Sequence, residues 1–495
     1  MEPHFVLFPY MLPGHMIPLI DIAKLIAQRG ILVTILTTPL NANRFKTTID
    51  RAVEKGHLKI QVIQLHFPCV EVGLPLGCEN GDMLNSLDLG VTKLYKASCM
   101  LEPEAKKVIQ ELKPPPSCLI SDMCLPWTTQ MALSLHIPRI IFDSSCCFAK
   151  VCIHNLSRMF AENSNHGASS DDITEYFVVP GLPDRIELTK AQLAGGVGSS
   201  STMAIWGEIF KQMLEAEEGA FGVAVNTFED LELEYIKEYK KIYGKEKVWC
   251  IGPVSLCNTD QQDQAERGNH PSVNDQEILK FLDSLQPKSA LYVCLGSLAC
   301  LSVSQLIELG LGLELSNQPF IWVLRCKLPE AFIKWLEDEK FEERVIKNGG
   351  MLIRGWAPQV LILSHPSVGG FLTHCGWNSV LEGISAGLPL ITWPIFAEQF
   401  CNEKLIMNVL GIGVRVGVEV PVVMGEEENI GVQVSKENVM MVVEKLMHGG
   451  EEGEMRRNRV NKLGAIARKV VEDGGSSNLA VTNLIQDVTQ EVNQF

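Results

Sequence analysis

The 495-residue chain lacks several features that would point to other classes of protein. Its 15 cysteines include no Cys-x-x-Cys pair and no regular spacing, which indicates buried, reduced thiols and argues against disulfides or a metal centre. Lys and Arg total 43 against 59 Asp and Glu, and this net charge of −16 argues against a nucleic-acid or anionic-membrane partner.

Signals for targeting or membrane insertion are also lacking. The apolar N-terminus from His4 to Ile22 has no basic flank and is interrupted by Pro9, Pro13 and Pro18, which is typical of a strand and a turn. We therefore expect a cytoplasmic protein without integral membrane association.

Buried strands and helices alternate along the chain. His4–Tyr10 reads as a strand, Leu19–Gln28 as a helix that Gly30 stops, and Ile31–Thr38 as the next strand. This βαβ pattern continues through a strand at 117–122, and a second series begins at the strand 290–295. The alternation predicts an α/β fold with doubly wound parallel sheets.

The length and a polar segment divide the chain. At 46% apolar residues the chain can fill large cores, but 495 residues exceed what one core normally holds. Residues 252–274 are rich in Asp, Gln, Asn and Gly and are the predicted interdomain linker. We predict Rossmann-like domains over 1–251 and 275–475, with 476–495 as a C-terminal helix that packs back on the first domain.

The stretch Trp356–Gln399 has the character of a binding site. A predicted strand, Val368–His374, passes through the turn Cys375-Gly376 into a predicted helix. Such a turn presents unpaired backbone N–H groups and the positive end of the helix dipole, both of which suit a phosphate. Two tryptophans, two carboxylates and two amides accompany this anion site, and these groups suit a base, a ribose and a sugar.

This stretch resembles the C-terminal signature of the plant family-1 UDP-sugar-dependent glycosyltransferases. The match runs from Trp-Ala-Pro-Gln through His-Cys-Gly-Trp-Asn-Ser to the closing Glu-Gln. Near the N-terminus, Phe-Pro-Tyr-Met and Gly-His-Met-Ile-Pro resemble the branch that acts on triterpenoids and flavonoids. The resemblance implies GT-B architecture, in which two Rossmann-like domains face a cleft, with the donor in the second domain and the acceptor mainly in the first.

The resemblance also implies a set of donor-binding residues. The residues expected to bind uracil and ribose are Trp356, Ala357, Gln359 and Glu382. Those expected to bind the diphosphate are His374, Asn378, Ser379 and Ser297, and those expected to bind the sugar are Trp377, Glu398, Gln399 and Ser144. Each has a plainer reading: Ser379 and Glu382 match a capping box, both tryptophans suit a core, and Gln399 suits an exposed first turn.

Two residues are candidates for catalysis. His15 follows a predicted strand and a glycine near a helix start, where the dipole favours a neutral imidazole that can accept a proton. Asp122 ends another predicted strand and could orient that ring, as in hydrolytic triads. The alternatives are a histidine that hydrogen-bonds a turn and an aspartate that caps the next helix. The resemblance favours the dyad.

The implied reaction is an inverting sugar transfer with His15 as general base. The chain contains no Asp-x-Asp motif, so we expect no metal and no cofactor besides the UDP-sugar co-substrate. A signature that ends in Gln usually accompanies glucose, while galactose and glucuronic acid stay open, especially with a glycosylated triterpenoid as acceptor. The small hydroxyl acceptor is expected to meet the loops 68–90, 161–172 and 181–202, and a monomer is expected.

One position departs from the family pattern. Many relatives have Phe-His-Gly after the strand that ends at Ile141, whereas this chain has Phe142-Asp143-Ser144. The acidic residue makes the role of Ser144 and the acceptor preference open questions.

Two short motifs of other enzyme classes do not fit this sequence. Gly383–Gly387 matches the Gly-x-Ser-x-Gly elbow of serine hydrolases, but a helix precedes Ser385 and a strand follows, the reverse of an elbow. No Gly-x-Gly-x-x-Gly follows the first strand, which argues against a nicotinamide dehydrogenase. A non-catalytic nucleotide-sugar-binding protein remains an alternative that His15 and Asp122 disfavour.

Overall fold

The computed structural model describes residues 3–84, 87–164, 175–193, 200–298, 300–324, 328–422 and 425–493. Its strands, in chain order, are β1 His4–Phe8, β2 Leu32–Thr37, β3 Ile60–Gln64, β4 Cys118–Asp122, β5 Arg139–Asp143, β6 Tyr176–Val178, β7 Glu187–Thr189, β8 Gly222–Val225, β9 Val248–Cys250, β10 Ala290–Cys294, β11 Phe320–Leu324, β12 Met351–Arg354, β13 Val368–Thr373, β14 Leu390–Thr392 and β15 Gly413–Arg415.

The α-helices lie between and after these strands. They are α1 Pro13–Ala27, α2 Pro39–Arg44, α3 Lys46–Glu54, α4 Leu87–Cys99, α5 Glu102–Glu111, α6 Thr128–Ser134, α7 Cys147–Ser164, α8 Lys190–Leu193, α9 Ser200–Glu218, α10 Glu229–Tyr243, α11 Gln261–Ala265, α12 Asp275–Asp283, α13 Val303–Leu315, α14 Glu330–Asp338, α15 Phe341–Lys347, α16 Gln359–Leu363, α17 Trp377–Ala386, α18 Gln399–Lys404, α19 Glu427–Ile430, α20 Lys436–His448, α21 Gly450–Val471 and α22 Ser476–Val492.

Two parallel sheets confirm the predicted α/β class. The first has seven strands in the order β3-β2-β1-β4-β5-β8-β9, and the second has six in the order β12-β11-β10-β13-β14-β15. Neighbouring strands in both are parallel. In each sheet the order reverses beside the first strand, and ligands of such sheets bind where the strand ends flank that reversal.

The first sheet is buried on both faces. Phe5 and Leu7 of β1 belong to a core that includes α1 and α22, while Val6 and Phe8 belong to a second core with α5 and α6. Because successive side chains of a strand point to opposite faces, a sheet covered on both sides needs apolar residues throughout. This explains why polar and apolar residues do not alternate along β1.

The described residues group into two compact units. One contains residues 1–146, 198–270 and 468–495, and the other contains 147–197 and 271–467. Within the first, Trp249 Nε1 of β9 donates to Asp487 Oδ2 of α22 at 3.0 Å. The second includes the described residues of 147–197, which fall within the predicted N-terminal domain 1–251, and the antiparallel pair β6–β7 belongs to it.

Several expected loops are only partly described. Residues 161–164 form the last turn of α7, and the rest of the predicted loop, 165–172, lies outside the described residues. The same holds for 85–86 and 194–199 within the two other loops expected to meet the acceptor. Among the described residues, no helix combines the length and the hydropathy needed to cross a bilayer.

Candidate active site

His15 lies in the first turn of α1, just past the end of β1. The helix begins at Pro13, six residues before the predicted Leu19, because proline suits the first helical position, where no N–H partner is needed. The His15 N–H donates to Leu12 O at 3.0 Å, and the side chain is 20% exposed. Solvent and small molecules can therefore reach the imidazole.

Asp122 meets His15 directly. The Nδ1 atom of His15 lies 2.9 Å from Oδ2 and 3.1 Å from Oδ1 of Asp122, whose side chain is fully buried. Asp122 is the last residue of β4, which pairs with β1, so the strand reversal of the first sheet brings together two residues 107 positions apart. The carboxylate accepts the Nδ1 proton, and this leaves Nε2 as the basic nitrogen.

The turn after β4 fixes the Asp122 carboxylate and backbone. The Cys124 N–H donates to Asp122 Oδ1 at 2.8 Å, and α6 begins only at Thr128, so Asp122 does not cap that helix. The guanidinium of Arg139 is 3% exposed and donates to Asp122 O and Leu125 O at 3.2 Å each. Burial lowers the pKa of Arg139 to about 9.

Two more side chains border the imidazole. The ring of Tyr10 meets that of His15 edge to face at 5.8 Å, and Ser144 Oγ lies 3.3 Å from His15 Nδ1. Burial, and then the neighbouring Cys124 and Asp122, raise the pKa of Tyr10 well above its usual value, so the phenol stays neutral. Asp143 is buried at the end of β5, where its Oδ1 accepts the Ser145 N–H at 2.9 Å.

In the second unit, the residues of the predicted anion site lie in the turn after β13 and at the start of α17. Cys375 has a φ of +64°, Gly376 is the N-cap of α17, and Asn378 and Ser379 lie in the first turn of that helix. The first N–H groups of an α-helix have no intrahelical acceptor. Together with the dipole they can bind a diphosphate without a cation.

The ring of His374 is held between two glycines. A Cβ on Gly376 would lie 2.3 Å from His374 Nε2, and one on Gly296 would lie 2.6 Å from the same atom. Only glycine permits this approach at either position, and Gly296 also has a φ of +87°. Ser297 follows Gly296 just after the end of β10, and it therefore lies near the turn that begins at His374.

Three predicted nucleotide residues form one hydrogen-bonded group. Gln359 Nε2 donates to Glu382 Oε2 at 2.7 Å and to Ser379 Oγ at 3.0 Å, and Tyr292 Oη donates to Gln359 Oε1 at 3.5 Å. Glu382 is 7% exposed. Because Gly376 is the N-cap, Ser379 and Glu382 do not form the capping box that their spacing suggests.

Trp356 is fixed through its backbone. Its N–H donates to Ser272 Oγ at 2.8 Å, and the Ser272 N–H donates to Trp356 O at 2.9 Å. The indole is half-buried, whereas the neighbouring Ala357 is fully buried. The two-way bond anchors the backbone that presents the ring predicted to stack on uracil.

The predicted sugar residues of this unit lie at two helix starts. Trp377 opens α17 and is only 2% exposed, so its backbone N–H is better placed than its ring for polar contacts. Gln399 opens α18 and is 4% exposed, which excludes the reading as an exposed residue. Its Oε1 accepts the N–H groups of Ile395 and Phe396 at 2.9 and 3.1 Å, and Glu398 precedes it, half-buried.

The hydrolase alternative fails on geometry. Ser385 lies inside α17, is 5% exposed, and donates its hydroxyl to Leu381 O at 2.7 Å. A nucleophilic serine needs an exposed strand-to-helix turn. The Gly-x-Ser-x-Gly pattern here serves helix packing, since a Cβ on Gly383 would lie 2.9 Å from Leu390.

Four supporting residues were missed in the sequence. Ser272 and Tyr292 hold Trp356 and Gln359, Cys124 holds Asp122, and Asn402 Nδ2 donates to Cys375 O at 2.8 Å, which ties α18 to the anion turn. Ser272, Tyr292 and Asn402 carry no local pattern, because each acts on a residue brought near by the fold. Only the position of Cys124, two residues after Asp122, offered a signal.

Comparisons with known proteins show the family of the chain. Residues 209–446 match the family model described as "UDP-glucoronosyl and UDP-glucosyl transferase". The chain is 53% identical over 489 residues to UDP-glycosyltransferase 73C3 of Arabidopsis thaliana, a match that covers 98% of this chain and 96% of the relative.

Solved structures give the same result. UGT73P12 of Glycyrrhiza uralensis, complexed with glycyrrhetinic acid 3-O-monoglucuronide, superposes with a TM-score of 0.89 at 35% identity, covering 100% of this chain and 97% of that one. UGT2 of Phytolacca americana, complexed with UDP-2fluoro-glucose and pterostilbene, gives a TM-score of 0.76 at 26% identity, covering 98% and 100%. The two-sheet architecture is that of these proteins.

Proposed function

The chain belongs to the plant family-1 UDP-glycosyltransferases, and from that premise we propose that it transfers glucose, with inversion, to a hydroxyl of a lipophilic triterpenoid or flavonoid. Transfer of a sugar from a UDP-sugar to a small plant metabolite is the activity that its relatives establish. The donor sugar, the acceptor class and the roles of the residues below are the proposal. The observation that carries it is the contact between His15 Nδ1 and Asp122.

The chemical step needs one base. With its Nδ1 proton on Asp122, His15 presents Nε2 to the acceptor hydroxyl and takes the proton as the hydroxyl oxygen attacks the anomeric carbon. The bond from that carbon to the UDP oxygen breaks as the new bond forms, so the configuration inverts without a covalent sugar–enzyme intermediate. Asp122 then stabilises the imidazolium.

The leaving diphosphate gains negative charge as its bond to the sugar breaks. The N-terminus of α17, with His374, Asn378 and Ser379, supplies donors and positive potential for that charge. Glu382 and Gln359 bind the ribose, and Trp356 stacks on uracil. The sugar hydroxyls bind Glu398, Gln399, the Trp377 N–H and Ser144.

Glucose is proposed because the signature ends in Gln399. A second candidate is a galactosyl or glucuronosyl transferase that extends a saponin sugar chain. It is favoured by one observation, the monoglucuronide complexed with the Glycyrrhiza uralensis relative, whose structure is similar over the whole chain.

A screen of donors against acceptors tests the proposal. UDP-glucose, UDP-galactose and UDP-glucuronic acid would each be combined with sapogenins, their monoglycosides and flavonoids, and products identified by mass spectrometry. We expect turnover with UDP-glucose above the other donors. Preference for another donor with a monoglycoside would select the second candidate, and no turnover in any combination would contradict both.

Variants of the dyad test the mechanism. His15→Ala should lower kcat by about 10²–10⁴-fold because the general base is lost. Asp122→Asn keeps the shape but no longer stabilises the correct tautomer, so it should also lower kcat strongly. His66→Ala, an exposed histidine of the same unit, is the control. Full turnover by His15→Ala would refute the dyad.

A further inference from the structure

The thiol of Cys124 lies beside the dyad but has no part in the transfer step. Its Sγ, a ring nitrogen of His15 and a carboxylate oxygen of Asp122 all lie within 4.8 Å of one another. Cys124 and His15 are half-buried, so the cluster is accessible from solvent, while Asp122 is buried. One nitrogen, one oxygen and one sulfur ligand therefore converge at a reachable point.

The ligand set selects a class of ion. Thiolate and imidazole favour Zn²⁺, Co²⁺ or Cd²⁺, whereas Mg²⁺ and Ca²⁺ require oxygen ligands. Tetrahedral Zn²⁺ with bonds of about 2.0–2.3 Å holds its ligand atoms about 3.3–3.6 Å apart. His15 Nδ1 and Asp122 Oδ2 lie 2.9 Å apart, and Cys124 Sγ lies within 4.8 Å of both residues' ligand atoms. Binding therefore requires the nitrogen and the oxygen to separate slightly and the sulfur to approach them.

We propose that His15, Asp122 and Cys124 form an inhibitory site for a borderline-soft divalent cation such as Zn²⁺. Three protein ligands leave a fourth position for water, as in open zinc sites. The Cys124 thiol releases its proton to solvent on binding, and thiolate and carboxylate together balance the two positive charges of the ion.

The backbone prearranges two of the three ligands. The Cys124 N–H donates to Asp122 Oδ1 at 2.8 Å, which closes a tight turn with both side chains on it. Arg139 holds Asp122 O and Leu125 O on either side of Cys124 at 3.2 Å each. The segment that bears two ligands is thus fixed before any ion arrives, which lowers the ordering cost of binding.

Occupation of this site would stop catalysis, a consequence that rests on the proposed role of His15 as base. A metal on Nδ1 replaces the proton that Asp122 accepts, and the neutral ring then carries its proton on Nε2. That nitrogen can donate but cannot take a proton from the acceptor hydroxyl. Asp122 is engaged as a ligand at the same time.

Binding is tested without reference to activity. The reduced full-length chain would be titrated with CoCl₂ and followed by absorbance, because a thiolate ligand to Co²⁺ gives a charge-transfer band and tetrahedral geometry gives intense d–d bands. We expect one equivalent to produce both in the wild type. The charge-transfer band should disappear in Cys124→Ala and in Cys124→Ser.

Cys99→Ala is the matched control, a half-buried cysteine of the same unit outside the cluster. It should keep both bands. A wild type without the charge-transfer band, or a band of equal intensity in Cys124→Ala, would overturn the site. Most of the other described cysteines are buried, so their contribution to the cobalt absorbance should be the same in every variant.

Inhibition is measured next, with saturating UDP-glucose and an acceptor from the screen. Zn²⁺ should lower wild-type turnover by about tenfold or more at a concentration that leaves Cys124→Ala active, and EDTA should restore it. Equal inhibition of both proteins would overturn the assignment to Cys124. If the cobalt charge-transfer band forms but Zn²⁺ does not lower turnover, both the inhibition and the role of His15 as base are contradicted. If the band does not form, only the metal site is contradicted, and the role of His15 is tested by His15→Ala.

Discussion

Gln359 Nε2 lies 2.7 Å from Glu382 Oε2, and this hydrogen bond joins α16 to α17 across 23 positions of the chain. The same amide group reaches Ser379 Oγ, so one side chain orients two of the groups proposed to bind the nucleotide. The carboxylate of Glu382 is therefore held in place before the ribose arrives, which reduces the cost of ordering it on binding.

Glu382→Gln should weaken UDP binding. Hydrogen bonds to a charged group contribute about 1.5–3 kcal/mol, so the loss of the carboxylate should raise the Kd for UDP by roughly 10–100-fold. Isothermal titration calorimetry with UDP measures this directly. Glu337→Gln, an exposed glutamate on α14, should leave the Kd unchanged; an equal Kd for both variants would remove Glu382 from the site.

Gly376→Ala should disturb the diphosphate site through sterics alone. The φ of Gly376 is −60°, which alanine adopts readily, but the added methyl would lie 2.3 Å from His374 Nε2. Moving that ring costs about 1–3 kcal/mol, and we expect UDP affinity to fall by roughly tenfold or more.

The control for that variant is Gly207→Ala, whose methyl meets no atom within 4 Å. Kd values for UDP and for uridine distinguish a disturbance of the diphosphate site from a disturbance of the whole pocket. A loss confined to UDP is expected, because uridine lacks the diphosphate that the His374 turn binds. Equal losses for both ligands would mean that the methyl group disturbs the whole pocket.

Arg139→Met should destabilise the first unit. The guanidinium donates to the hydroxyl of Ser121 at 2.7 Å, to Thr129 Oγ1 and to the carbonyls of Asp122 and Leu125, and methionine removes all four of these buried hydrogen bonds. Breaking such a buried network costs about 3–5 kcal/mol. Scanning calorimetry should show a transition lowered by roughly 10 °C.

The matched comparison is Arg185→Met, in which an arginine with a 75% exposed side chain loses its pair with Glu187. It should change the transition little, because exposed ion pairs contribute about 0–1 kcal/mol. If both variants unfold at the wild-type temperature, the Arg139 network does not stabilise the fold.

Acid should weaken the attachment of the segment after β9 to α1. Burial alone would raise the pKa of Asp263, but hydrogen bonds and charges from Lys24 and Arg51 outweigh it and hold that pKa below its usual value. A depressed carboxylate pKa contributes stability above the unfolded value of about 3.9, and this contribution is lost as the pH falls through the folded pKa.

Asp263→Asn tests the predicted direction of this pH dependence of stability. At pH 7 the variant should be less stable by about 3 kcal/mol, since Lys24 and Arg51, both largely buried, each lose a carboxylate partner. The difference from the wild type in thermal midpoint should shrink as the pH is lowered from 5 to 3. A difference that stays constant over that range would contradict the assigned role of the carboxylate.

The sequence predicted the elements with a strong local pattern. Strands β1, β4, β10 and β13 lie where apolar runs placed them, because a strand buried on both faces must be apolar throughout. Helix boundaries were less accurate. The helix predicted from Leu19 begins at Pro13. Pro13 and Gly14 have the pattern of a turn, but proline also suits the first position of a helix.

The α/β class and the family follow from the chain alone, since periodicity and the signature 356–399 are local patterns. Which residues meet depends on the folded chain. The parallel pairing of β1 with β4 brings Asp122 to His15, and the packing of α16 beside α17 turns an apparent capping box into a group held by Gln359. Contacts between distant residues depend on strand order and helix packing, which no local pattern specifies, and for the same reason Ser272 and Arg139 gained their roles only in the folded chain.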